Sequence, residues 1–333
     1  MTKEARVTEW TGRASDLPDR NRANLGPAGP IARGLPEPSG GFRLVVAIPS
    51  TGRSTILPDT VRAIALQERL PDLLILSLAS PDDIGDLDTE ALPFPVNVVI
   101  GPKGATIQRN RVIEELTPAD IALLLDDDFL MAPDYLQKTL EVFQDDPDVV
   151  LATGTVLADG IRGPGYSHAT GQKLLAERNR VDLPVKVKPT HAGYGCNIAF
   201  RVSVAAAYEV WFDEDLPLYS WLEDVDFSSR LARHGRLVKS GAMRGVHLGT
   251  KTGRTPGLKL GYSQIANPIY LKRKGTMPIW HVLEMMSRNM ISNLAHSVRP
   301  PAYADFRGRL RGNLLALSDL ARGRITPERI LDL

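Results

Sequence analysis

The apolar run Ile121-Ala-Leu-Leu-Leu125 passes without transition into three carboxylates, Asp126, Asp127 and Asp128, and no other feature restricts the fold as much. Five consecutive apolar residues without alternation read as a strand covered on both faces, as in the parallel sheet of an α/β domain. In open sheets of that kind, ligands bind beyond the carboxyl ends of the strands, which is where the triplet stands. Adjacent carboxylates repel one another unless a cation or a set of donors neutralises them. An all-oxygen cluster suits a hard divalent ion, Mg2+ or Mn2+, that completes its shell with phosphate oxygens. The plain alternative is a strand running into a solvated acidic turn. The surrounding chain decides between the two.

That chain alternates between β and α patterns. Phe42–Ile48 reads as a buried strand stopped by Pro49 and the turn Ser50–Arg53. Leu57–Leu70 reads as a helix with Pro58 in its first turn, followed by strands at Asp72–Leu78 and Val96–Ile100 and a helix at Thr106–Leu116. With the acidic strand, this order predicts a doubly wound, mostly parallel α/β sheet. Beyond Pro133 we expect a helix through Phe143, a strand at Val149–Val156 and a mobile Gly-rich loop at Gly160–Gly171. A short strand at Tyr194–Arg201, a helix at Leu222–His234 and a closing strand at Val246–Leu248 follow. The organisation is thus an irregular N-terminal arm over 1–40, an α/β domain over 41–250 and a helical C-terminal extension over 251–333. Within the last, Ile279, Val282, Leu283, Met286, Met290 and Leu294 recur at helical spacing and predict a core-facing stripe.

Composition excludes several classes. The 333 residues carry a net charge of +1 with a pI near 7.9, which gives no general attraction to nucleic acid. One cysteine, Cys196, excludes an internal disulfide framework and suits a reducing cytoplasm. No apolar run approaches the about 20 residues that span a bilayer, and the charged first residues do not form a secretory signal. We therefore expect a cytoplasmic protein, soluble or peripheral.

Five landmarks stand in order along this frame: Ile48-Pro49-Ser50-Thr51 with Arg53, Gly104 followed by Gln108-Arg109-Asn110, the Asp triplet, Gly195-Cys-Asn-Ile-Ala-Phe-Arg201 with Trp221-Leu-Glu-Asp224, and His247. Together they resemble the GT-A glycosyltransferases of the large inverting family 2. The resemblance covers about Arg43 to His247 and, more loosely, the C-terminal helices. It implies a metal-dependent inverting enzyme that moves a sugar from a nucleotide-diphospho-sugar to an acceptor hydroxyl, in polysaccharide or glycoconjugate biosynthesis.

Carried over by position, the resemblance makes Asp126 face the nucleotide ribose and Asp128 bind the metal bridging the diphosphate. Asp127 lies between them, assigned to the nucleotide side or to bonds behind it. Asp224 becomes the base that takes the acceptor proton, and Glu223 binds sugar hydroxyls. Trp221 offers a flat face for a sugar, although a tryptophan there also suits a core. Acids at a helix start also satisfy the helix dipole, which is the structural alternative for this motif. His247 completes the metal shell, a donor compatible with Mn2+; an ordinary turn histidine is the alternative. Pro49, Thr51, Arg53 and Arg109 are expected around the nucleotide, with the arginines also able to bind the acidic strand end. Relatives carry aspartates directly at the end of the second strand to hold the base. Here Leu76-Ser77-Leu78-Ala79-Ser80-Pro81-Asp82 replaces them, so Ser77, Asp82 or backbone groups take that contact; UDP is the expected donor, with GDP and dTDP open.

A sugar-phosphate nucleotidyltransferase would need a Gly-rich basic loop after the first strand, which Pro49–Arg53 does not supply. A phosphatase would place its Asp pair after the first strand. A carbohydrate-binding relative without catalysis would not need Asp128, Asp224 and His247 together. The expected partners are the nucleotide-sugar donor and a saccharide or lipid-linked acceptor. Residues 299–333 hold seven arginines against four acids, a basic end suited to the anionic inner face of a membrane, to a subunit contact in a homo-oligomer, or to plain solvation.

Overall fold

The computed structural model describes residues 6–9, 42–118, 120–180, 185–253 and 255–333. Ten strands form one sheet. In chain order they are β1 (Arg6–Glu9), β2 (Arg43–Ser50), β3 (Leu73–Leu78), β4 (Val96–Ile100), β5 (Asp120–Leu125), β6 (Phe129–Met131), β7 (Val149–Asp159), β8 (Val187–Pro189), β9 (Asn197–Arg201) and β10 (Arg236–His247). The spatial order is β1-β4-β3-β2-β5-β9-β7-β10-β6, with β8 also on β10. Pairings from β1 through β5 are all parallel, while β9 runs antiparallel to both β5 and β7. The chain leaves β2 toward β3 and β4 on one side and returns to β5 on the other. The crevice that such a reversal opens lies at the carboxyl ends of β2 and β5, beside the Asp triplet.

Helices cover both faces. They are α1 (Leu57–Ile64), α2 (Ala105–Glu114), α3 (Tyr135–Asp145), α4 (His168–Arg178), α5 (Val202–Ala207) and α6 (Glu223–Leu231), then α7 (Gly257–Lys274), α8 (Ile279–Val298) and α9 (Phe306–Ala321). The alternation of strand side chains divides the core. Leu44, Val46 and Ile48 join α1 and α3 on one face, whereas Val45 and Ala47 join α2, α5 and α6 on the other. A separate cluster, built on Tyr262, Ile265, Ala266 and Ala316, holds α7, α8 and α9 together.

Several expectations need correction. Arg6–Glu9 pairs parallel with β4, so the arm is not irregular there; the remainder of the segment up to residue 41 lies outside the described residues. Pro49 lies inside β2 rather than stopping it, at a point where pairing with β5 has already ended at Ala47. The predicted mobile loop Gly160–Gly171 gives way to α4 from His168. Ser167 caps that helix by accepting the Thr170 N–H at 3.2 Å, and Leu174 and Leu175 pack toward Leu130 and Leu248. A Cβ at Gly171 would lie 2.2 Å from Leu248 Cδ2, so this glycine serves close packing and not mobility. In α8 the predicted core stripe is only half buried: Val282 is inside, whereas Ile279, Leu283 and Leu294 face solvent.

Candidate active site

The site assembles where three strands end and one helix begins. Asp126 and Asp128 follow β5, His247 closes β10, Asp159 closes β7, and α6 brings Glu223 and Asp224 from the far side. Ligand atoms of Asp126, Asp128 and His247 lie within 4.8 Å of one another. His247 Nε2 stands 3.4 Å from Asp128 Oδ1 and 3.8 Å from Asp126 Oδ2. Its Nδ1 is 2.9 Å from Asp159 Oδ1, which fixes the ring and turns Nε2 to the aspartates. Asp159 also accepts from the Ile161 N–H at 3.0 Å and the Tyr194 hydroxyl at 2.8 Å.

Asp128 is almost wholly buried. Its Oδ2 accepts the Thr250 N–H at 2.7 Å, while Oδ1 has no hydrogen-bond partner. Two unit charges about 4 Å apart interact by about 4 kcal/mol at an effective dielectric of about 20, so the paired aspartates need a counter-charge. Burial disfavours the charge on His247, but the neighbouring carboxylates of Asp128 and Asp159 outweigh it and lift the imidazole to about 10. Arg53 Nη1, 3.7 Å from Asp128, is a fixed positive charge beside the cluster. Burial likewise works against the Asp128 charge, yet His247 and Arg53 hold its carboxyl below the usual range. An orphaned buried carboxylate oxygen, a second carboxylate and an oriented imidazole fit a divalent ion of the Mn2+ or Mg2+ kind.

Asp127 faces the other way. It is buried, and its oxygens accept from Ser50 Oγ and Arg53 Nη1, both at 2.5 Å. Of its two expected places, the one at the nucleotide is corrected in favour of the one behind the strand end, where it anchors Arg53. Arg53 also donates to the Thr252 carbonyl and lies 3.7 Å from Asp128, so it links the β2 loop to the segment after β10. Ser77 is corrected too, since its side chain is wholly buried in β3. Asp82 is exposed in the turn beyond it. The neighbouring Asp83 carries the structural load there, accepting N–H groups of Gly52, Ala79 and Ser80. Thr51 Oγ1 donates to Gln108 Oε1 at 3.0 Å, and Gln108 Nε2 donates to the Ser50 and Ser77 carbonyls. The β2 loop carrying Pro49 and Thr51 is thereby tied to α2.

Arg109 joins the two acidic motifs. It is buried, pairs with Glu223, reaches Asp126 Oδ1 at 3.5 Å and donates to the Gly195 carbonyl at 3.0 Å. One guanidinium thus faces Asp126, Glu223 and Asp224. Burial raises Glu223 to about 8 against the pull of Arg109, with Asp224 adding to the rise. Asp224 is raised as well, by burial first, while Arg109 and backbone N–H groups oppose it. Its Oδ2 accepts the Gly195 N–H at 2.9 Å and its Oδ1 the Val225 N–H at 2.8 Å. A Cβ at Gly195 would come within 3.3 Å of Asp224 and 3.4 Å of Glu223, which explains a glycine at that point.

The approach to α6 is strained. Leu218, Ser220 and Leu222 have φ of +61°, +54° and +76°, a region that costs a non-glycine residue of order 1–3 kcal/mol. Helix α2 holds this loop through Ala105 N–H to the Leu218 carbonyl at 2.9 Å, and α7 through Asn267 Nδ2 to the Trp221 carbonyl at 2.7 Å. Trp221 itself packs with Leu222, Leu271, Met277 and Val282, so much of its ring serves the core. Behind Asp224, Asp226 Oδ2 receives Arg230 at 2.7 Å and Lys274 at 2.9 Å, and Oδ1 receives Thr276 Oγ1 at 2.8 Å. Asp159, Asn267 and Lys274 escaped the sequence reading. An acid ending the strand beside that of His247 is the signal that would have found Asp159; nothing local marks the other two.

This architecture has solved counterparts. The mannosyltransferase PcManGT of Pyrobaculum calidifontis, in complex with GDP-Man and Mn2+, matches with a TM-score of 0.50 at 14% identity, covering 89% of this chain and 80% of that one. S. aureus TarS 1–349 in complex with UDP-GlcNAc matches with 0.54 at 11% identity, over 87% and 83%. The fold is therefore that of the GT-A glycosyltransferases. The sequence takes the assignment further, because the model of the family described as "Glycosyltransferase like family 2" matches residues 42–243. The chain belongs to glycosyltransferase family 2. Glucosyl-dolichyl phosphate glucuronosyltransferase of Haloferax volcanii is 26% identical over 172 residues, which are 48% of this chain. The chain spans about half, 52%, of that curated relative.

Proposed function

We propose that this protein transfers a sugar from a nucleotide-diphospho-sugar to an acceptor hydroxyl with inversion at the anomeric carbon, supported by a divalent metal. The observation that carries the reading is Arg109, which brings the metal-competent cluster and the Glu223–Asp224 pair into one charge network. Asp126, Asp128 and His247 would hold Mn2+ or Mg2+. Bound there, the ion supplies charge neutralisation for the departing diphosphate. Asp224 takes the proton of the acceptor hydroxyl. Two backbone N–H groups orient its carboxylate, and a pKa raised by burial brings a carboxylate closer to the proton it must accept. Glu223 is held by Arg109 and orients sugar hydroxyls instead of reacting. One base beside a restrained second carboxylate supports a single in-line displacement.

UDP is our working donor, with GDP kept beside it because the two structural counterparts are complexes with UDP-GlcNAc and GDP-Man. From the Haloferax relative, whose name specifies glucosyl-dolichyl phosphate, we carry over a lipid-linked saccharide as acceptor class. NMR of the product from a panel of UDP-, GDP- and dTDP-sugars, with Mn2+ and with chelator, tests the reading. An α-configured donor should give a β-linked product in a chelator-sensitive reaction. An α-linked product would refute inversion.

A further inference from the structure

Helix α8 presents six large apolar side chains to solvent. Ile279, Trp280, Leu283, Ile291, Leu294 and Val298 are 50%, 68%, 57%, 67%, 60% and 75% exposed. At about 100° per residue they share an arc of about 120° along a helix about 30 Å long. Isolated exposed apolar residues need no explanation, but six on one arc, in two groups either side of Ser287, do. The opposite side of α8 is committed to the protein. Val282 is buried, and Asn293 donates to Gln264 of α7 and Asn313 of α9, both at 2.7 Å.

Charge indicates the occupant. Residues 251–333 hold fourteen Lys and Arg against five Asp and Glu, a net +9. The chain as a whole carries +1, so the preceding 250 residues carry −8. Basic groups frame the stripe. Arg299 follows it directly, and Arg307 Nε donates to the Ser297 carbonyl at 3.0 Å. Arg307, Arg311 and Leu314 continue as exposed residues at helical spacing on α9. A second copy docked through the same face would bring like charge against like. An anionic surface with an apolar interior complements both the stripe and its frame. Among the described residues no helix is long and apolar enough to cross a membrane, which leaves a helix lying in the interface.

We propose that the exposed face of α8, framed by Arg299, Arg307 and Arg311, docks this protein on an anionic lipid bilayer, with Trp280 and Leu294 entering the headgroup boundary. The full chain should float with phosphatidylglycerol-containing vesicles at low salt, float less as salt rises, and stay behind with purely phosphatidylcholine vesicles. Trp280→Ser combined with Leu294→Ser should weaken partition by at least about tenfold, without lowering the melting temperature of a protein whose affected side chains are exposed. Ile279→Ser with Ile291→Ser should repeat the loss and so guard against a local distortion in the first pair. A blue shift of tryptophan emission on anionic vesicles should vanish in Trp280→Phe while flotation persists. No flotation at low salt, or flotation unchanged in both double variants, would overturn the proposal. A stable dimer in sedimentation equilibrium that the same serine variants dissociate would assign the face to a second copy instead.

Discussion

At the scale of single residues, the site separates two jobs that substitutions should resolve. Asp224→Asn removes a proton acceptor and keeps one of the two backbone hydrogen bonds from Gly195 and Val225, since an amide offers a single acceptor oxygen. Transfer should fall by about 10²–10⁴-fold while donor affinity, read by calorimetry, stays near wild type. Asp128→Ala should do the reverse in binding, keeping the fold and abolishing metal-dependent nucleotide affinity; undiminished affinity would remove Asp128 from the metal site. Asp159→Asn should weaken metal affinity by about 10–100-fold, because an oriented imidazole is lost without a ligand being lost. The positions of Asp126, Asp128, Asp224 and His247 could be read from the chain because each lies at the end or start of an element. Asp127, Ser77 and Asp159 could not, because direction at a strand end depends on which face a residue takes. Alternation puts Asp127 behind the cleft, and a one-residue change of phase would have exchanged it with its neighbours.

Elements explain why Asp224 holds its place. Helix α6 begins after three left-handed residues and continues into Asp226, which Lys274 and Thr276 grip from the end of α7 and the turn after it. Lys274 also pairs with the buried Asp213. Lys274→Met should therefore destabilise the protein by about 3–5 kcal/mol, leaving two buried carboxylates short of a partner, and should lower kcat more than it raises the donor KM. Acid should loosen the same joint. Burial opposes the Asp226 charge, but Arg230 and Lys274 outweigh it and hold the folded carboxyl below its ordinary value. Its contribution is then present above the unfolded value of about 3.9 and is lost as pH falls through the folded one. The melting difference between wild type and Asp226→Asn should be constant above about pH 5 and shrink toward acid. Helices α2 and α6 could be read in advance to within a few residues. The strained loop could not, since Leu218, Ser220 and Leu222 carry no glycine signal, and α4 could not, since its glycines suggested a loop where Gly171 serves close packing.

At the scale of the molecule, the sheet and the C-terminal helices divide the charge between an acidic body and a basic end, a division that the net value of +1 conceals. The overall α/β plan was legible because buried parallel strands leave unmixed apolar runs. The addition of β1 was not, because four residues of mixed polarity carry no period. That short strand has a consequence for solution behaviour. Without it, β4 would be the outermost strand on its side, and Val96-Asn-Val-Val-Ile100 is an uncharged, β-prone segment. Open edges of that composition recruit further chains. A chain lacking its first nine residues should keep its donor affinity per folded molecule but scatter light progressively on concentration, with thioflavin-positive material accumulating on mild heating. Strand β1 would thus guard this sheet edge against self-templated β-assembly.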